Sequence, residues 1–196
     1  MSYKKIENKL RKNQWIGYPQ DFLEFIYNEV IKNRPNRVLE FGTGFGLVTT
    51  ALAMGVKDNG YGTVDTYDSY IPNQIWKIQN NRVLVDIHLQ NYNVDDVVTL
   101  NQIDTVNDWF DNPKEFDMCF IDIDNNGDKL NVVINQPFMK QQIEKGAVVY
   151  FCGGSKVRDE INIKRGEKPI TQIDCKIQCV FGETQKNCIS KVVGYE

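Results

Sequence analysis

"VLEFGTGFG", residues 38–46, runs a short strand pattern into an acid and then into three glycines spaced two apart, Gly42, Gly44 and Gly46. Glycines after a strand let the chain turn tightly and let a ligand approach the backbone. The helix that follows such a turn offers free N–H groups and a positive dipole end, suited to a carboxylate or phosphate. The spacing narrows the ligand. A dinucleotide fingerprint reads GxGxxG, and residue 47 is Leu where its third glycine would stand. Glu40, two residues before the first glycine, would repel a pyrophosphate but can face the ammonium of an amino-acid moiety.

Outward from this turn the chain alternates strands and helices. Before it, "PQDFLEFIYNEVIKN" (19–33) carries an apolar helical face of Phe22, Leu23, Phe25, Ile26 and Val30, ended by Pro35, with Arg37–Phe41 as a short buried strand. After it, "LVTTALAMGV" (47–56) reads as a helix, and "YGTVDTYD" (61–68) as the second strand. A polar helix is predicted over about Gln74–Gln90, then a third strand at "DVVTLNQ" (96–102) and a short helical turn at "VNDWFDN" (106–112). "FDMCFIDID" (116–124) is apolar enough for a central strand, "KLNVVINQPFMKQQIEKG" (129–146) reads as one helix, and "AVVYFCGG" (147–154) as the fifth strand. The last 22 residues alternate at period two on both sides of "GETQKN", a hairpin pattern. The expected fold is α/β: a doubly wound, mostly parallel seven-stranded sheet closed by an antiparallel C-terminal hairpin.

Composition sets the bounds. With 196 residues, 41% hydrophobic and 11% aromatic, the chain is expected to be one domain over 1–196, with 1–34 a helical cover and 35–196 the core. A net charge of −3 gives no general attraction to nucleic acid or membrane. The five cysteines (119, 152, 175, 179 and 188) lack CxxC spacing and His88 is the only histidine, which argues against zinc. They read as reduced thiols, and the basic start "MSYKKIENKLRKNQW" has no apolar run like that of a signal peptide, so a cytoplasmic location is expected.

At this point the chain resembles the class I S-adenosylmethionine (SAM)-dependent methyltransferases over roughly residues 18–152. "VLEFGTGFG" is similar to their first motif, "GTVDTYDSY" to the second, "FDMCFIDID" to the fourth-strand motif and "IEKGAVVYF" to the fifth. The spacing is closest to the small O-methyltransferases of the catechol, caffeoyl-CoA and macrocin kind. The resemblance implies a Rossmann-like methyltransferase fold, SAM as cofactor and transfer of its methyl group to a small-molecule hydroxyl. It places Glu40, Gly42, Thr43, Gly44 and Gly46 beneath the methionine end. It places Asp68 on the ribose hydroxyls, with Asp65 as the competing acid, and Asp104 and Thr105 by the adenine amine.

Departures from the family bear on the chemistry. Its metal-dependent members join an acid on strand four to an Asp-Asn pair after strand five. Asp122 matches the acid, but Cys152-Gly153 stands at the pair, so no tight metal site is expected. Asn125 stands where many relatives carry a histidine base, which leaves Asp122 and Asp124 as candidates for the general base. A helix-cap role for Asp124 is the alternative, and His88 is read as remote from the strand ends. Lys156, Arg158, Lys164, Arg165 and Lys168 outnumber the acids of 153–169, which points to an acidic acceptor unless that loop is simply solvated. A homodimer stays open. A SAM-binding protein without transferase activity is the rival reading, and a nicotinamide oxidoreductase is disfavoured by Leu47 and Glu40.

Overall fold

A computed structural model describes residues 17–70 and 81–195. Residues 1–16, and the first part of the helix expected over 74–90 with Trp76, lie outside the described residues. The chain order is α1 (Phe22–Asn33), β1 (Arg37–Phe41), α2 (Leu47–Asn59), β2 (Thr63–Asp68), α3 (Asn81–Asn91), β3 (Val98–Gln102) and α4 (Val106–Phe110). Then follow β4 (Met118–Ile121), α5 (Gly127–Ile134), α6 (Pro137–Glu144), β5 (Val148–Cys152), α7 (Lys156–Lys164), β6 (Lys176–Phe181) and β7 (Ile189–Gly194).

One seven-stranded sheet runs in the order β3-β2-β1-β4-β5-β7-β6. The first five strands pair in parallel, and β7 is antiparallel to both β5 and β6. The doubly wound sheet and its terminal hairpin are therefore as expected. Chain order reverses between β1 and β4, because β2 and β3 build outward on one side and the chain then returns to the other. Ligands of open α/β sheets bind in the crevice beyond the strand ends at such a reversal.

Strand periodicity sorts the core into two layers. Along β4, Met118 and Phe120 face the layer of α1, α2 and α3, where Phe22, Leu23, Ile26, Val30, Leu52 and Val85 are buried. Cys119 and Ile121 face the opposite layer, with Trp109, Leu130, Ile134 and Met139. Trp109 is a packing residue, edge-on to Phe41 at 5.2 Å between ring centroids. Each large side chain fully buried in these layers contributes about 1.5–3 kcal/mol. α1 stops at Arg34, whose left-handed backbone (φ 49°) donates its N–H to the Val30 carbonyl just before Pro35.

Two expectations need correction. The single helix over 129–146 is two, α5 and α6, because Pro137 has no N–H to donate and instead opens the second helix. The segment 153–169 is no plain solvated loop. It contains α7, capped by the Ser155 hydroxyl, which accepts the Arg158 N–H, and its inward face is polar: Arg158, Asp159 and Asn162 are buried.

Candidate functional site

The turn after β1 is built by close contacts. The Gly42 N–H donates to the Tyr67 carbonyl at 2.9 Å, and the Asp122 N–H to the Phe41 carbonyl at 2.8 Å, which ties β1, β2 and β4 together at their carboxyl ends. Gly42 (φ 94°) cannot be replaced without strain, since a Cβ there would stand 2.3 Å from the Asp122 carbonyl oxygen. Gly44 differs: among the described residues a Cβ on it would meet nothing within 4 Å. Among the described residues the turn is thus packed shut at Gly42 and leaves space beside the half-buried Gly44. Behind the turn, His88 Nδ1 lies 2.9 Å from the Phe45 carbonyl oxygen. His88 is therefore a buried support of the turn, which corrects its expected remoteness; the contact spans 43 residues and had no local signal.

Three carboxylates surround this turn. Glu40 is 0% exposed, its Oε2 accepts the Thr49 hydroxyl at 2.6 Å, the Thr66 hydroxyl also bears on the carboxyl, and among the described residues its Oε1 has no hydrogen-bond partner. Burial pushes its pKa up to about 8, with the Asp122 and Asp68 carboxylates adding to the rise. Asp68, the last residue of β2, accepts the Gly44 N–H on Oδ2 and the Tyr70 N–H on Oδ1, each at 2.9 Å. Asp65 lies three residues back in the strand, at the register of Leu39. Thr43 is buried, its hydroxyl 2.6 Å from that of Thr66 and 3.3 Å from that of Tyr70.

Asp122 follows β4. Its Oδ2 accepts the Tyr18 hydroxyl at 2.5 Å. Burial raises its carboxyl above the usual range, against hydrogen bonds from Tyr18, Asn125 and Cys152 and the charge of Arg158. Asp124 is exposed, and both it and Asn125 adopt left-handed backbone (φ 49° and 39°), an uncommon state for two successive non-glycine residues. Asp124 is not the helix cap: Asn126 is, through its side-chain oxygen and the Lys129 N–H at 3.0 Å. Asp104 and Thr105 are exposed beyond β3, two strands away from β1. The Thr105 N–H donates to Asp108 at 2.7 Å at the start of α4. The geometry thus gathers Glu40, Gly42, Thr43, Gly44, Gly46, Asp68 and Asp122, and leaves Asp104, Thr105 and Asp124 at its margin.

Sequence reasoning passed over Thr49 and Tyr18, and read Arg158 as one of the acceptor-facing bases rather than as a buried one. A polar pair, Thr49-Thr50, inside the otherwise apolar α2 was a usable signal for a buried partner of Glu40. Tyr18 and Arg158 are brought in by tertiary contacts alone.

No protein-family model and no curated protein matches the chain. Solved structures do. A methyltransferase from Podospora anserina with bound S-adenosylhomocysteine (SAH) superposes with a TM-score of 0.69 at 12% identity, covering 100% of this chain and 89% of that one. An O-methyltransferase from Bacillus cereus, in complex with SAH, gives 0.61 at 16% identity over 97% and 89% of the two chains. The O-methyltransferase TomG from Streptomyces achromogenes, involved in tomaymycin synthesis and in complex with SAM, gives 0.60 at 13% identity over 92% and 82%. The chain has the class I SAM-dependent methyltransferase fold.

Proposed function

We propose that this protein is a SAM-dependent methyltransferase that methylates a hydroxyl group of a small molecule. The observation that carries the reading is the ring of Glu40, Asp68 and Asp122 around a glycine turn left open at Gly44. Three acids beside this turn disfavour a pyrophosphate and suit a ligand with ammonium and sulfonium charges. Among the described residues the Oε1 of Glu40 is unpaired, which fits such a ligand, because a buried polar atom without a partner is costly until one arrives. The SAM and SAH complexes of the O-methyltransferases that share this fold support the same ligand here.

In this reading Glu40, Thr43, Gly44 and Gly46 receive the amino-acid end, with Gly42 holding the turn against β4. Asp68 has lone pairs left for the ribose hydroxyls, and Asp104 and Thr105 stand on the adenine side. Bound SAM supplies a methyl group on a sulfonium, open to in-line attack. Much of the acceleration then comes from orienting the acceptor oxygen. Asp122 takes the acceptor's hydroxyl proton, its raised pKa suiting a base, and Asp124 is the second candidate. Lys156, Lys164, Arg165 and Lys168 remain for an acidic acceptor, whereas Arg158 is turned inward, its Nη2 on the Asn187 side-chain oxygen at 2.6 Å. The five free thiols suit a reducing cytoplasm. Among the described residues no helix is long and apolar enough to cross a membrane.

The residues at the end of β5 do not suit a magnesium site. Cys152 offers a soft thiol, and at Gly153 a side chain is refused: φ is 113° and a Cβ would lie 2.3 Å from Ile170 Cδ1. Methyl transfer and SAM binding are therefore expected to be unchanged by EDTA. A loss of transfer in EDTA, restored by magnesium, would contradict this part of the proposal.

The direct test of activity is turnover of methyl-labelled SAM with a metabolite extract, expected to give a labelled product and SAH. The rival reading, a SAM-binding protein without transferase activity, draws support from the Tyr18 hydroxyl already seated on Asp122. It would be upheld by tight SAM binding with no label transferred.

A further inference from the structure

Any hydroxyl that Asp122 is to deprotonate must first donate to its carboxylate, and a hydroxyl already does. Tyr18 places its phenol oxygen 2.5 Å from Asp122 Oδ2. Its ring lies flat on Phe22, with centroids 4.4 Å apart and an interplanar angle of 8°. Phe22 in turn meets Phe120 of β4 and Phe181 of β6 edge-on, so the stack stands on the sheet. The preceding residue is tied down as well. The Gly17 carbonyl accepts the Asn187 side-chain amide, and Asn187 is held by Arg158, which also donates through Nε to the Lys186 carbonyl at 3.1 Å. Residues 17–18 are thereby fastened to the hairpin turn, across the carboxyl ends of β4 and β5.

We infer that Tyr18 is an internal occupant of the acceptor position, an autoinhibitory contact that must leave Asp122 before an acceptor hydroxyl can take its place. The inference rests on the function proposed above. In the transfer that follows, the acceptor's proton passes to Asp122 and its oxygen forms the new O–CH3 bond. The S–CH3 bond breaks with its electron pair kept by sulfur, so the sulfonium becomes a neutral thioether.

The test replaces the occupant with its own free side chain. Tyr18→Gly opens a space the shape of p-cresol, and spaces of this sort take up small aromatics. Tyr18→Ala, probed with phenol because its Cβ remains, serves as a second variant should the glycine protein fold poorly. Each probe is expected to raise the Tm of its variant saturably and to leave the wild type unmoved. With SAM added, the glycine variant should convert p-cresol to 4-methylanisole, and the alanine variant phenol to anisole, with an equal amount of SAH. Asp122→Asn in the same background should abolish conversion while keeping the Tm rise. A Tm rise without the methyl ether, in a variant that binds SAH, would reduce Tyr18 to a packing residue and overturn the inference. So would the absence of any Tm rise. If SAH binds neither wild type nor variants, the parent reading has failed instead.

Discussion

Glu40→Gln should largely flatten a fall in stability that the wild type shows as pH rises from about 4.5 to about 8. Glu40 has an ordinary pKa of 4.5 in the unfolded chain and about 8 in the fold, raised first by burial and then by the neighbouring Asp122 and Asp68. Between those values the folded protein holds a proton that the unfolded chain has released. Stability then decreases with pH, since its slope follows the protons bound unfolded minus those bound folded. The contribution is full below the unfolded pKa and is lost as pH rises through the folded one. At 1.36 kcal/mol per unit the shift amounts to roughly 5 kcal/mol. Asp122, whose pKa is also raised, adds a share of the same sign. Urea melts of wild type and Glu40→Gln across this range check the expectation; parallel curves would show that Glu40 is ionised in the fold. The same titration bears on function. A cationic ligand against Glu40 lowers its pKa, so SAM binding near pH 7 should release protons, as calorimetry in buffers of different ionisation enthalpy would detect.

Asp68→Ala should lower SAM affinity by roughly 1.5–3 kcal/mol, about 10- to 150-fold, the cost of lost hydrogen bonds to a charged group. Its two oxygens already tie Gly44 to Tyr70, so the substitution also loosens the turn where the ligand approaches. Asp68→Asn keeps one side-chain acceptor and should fall between. Asp65→Ala, three residues down the strand, should change affinity little. Isothermal calorimetry with SAH gives the order directly. A larger effect at Asp65 than at Asp68 would move the ribose contact away from the end of β2.

These effects trace back to features of different legibility. β1 was readable to the residue, because its apolar run is bounded by Pro35 on one side and by glycines on the other. The glycine turn was equally plain, and so was its orientation, since a strand ends and a helix begins there. α5 and α6 were merged because the helical period continues across Pro137 and only the proline marks the break. α7 escaped for the opposite reason: its buried face is Arg158, Asp159 and Asn162, and an apolar period is not there to be found. Asp159 is buried because it caps another segment, accepting the Ile170 N–H at 2.7 Å and the Thr171 N–H at 3.1 Å. The Tyr18–Asp122 contact bridges 104 residues, and no local pattern announces it. Turn chemistry and strand ends are written locally, whereas the partners of buried polar groups are set by the tertiary fold.

The central claim is that the Glu40–Gly46 turn and Asp68 hold SAM, and ligand-dependent stability tests it most directly. At about 100 times its dissociation constant, SAM or SAH should stabilise the folded protein by about 2.7 kcal/mol, measured as a shift in the urea midpoint, while NAD at the same concentration should give none. A clear shift with NAD and none with either adenosyl ligand would contradict the account.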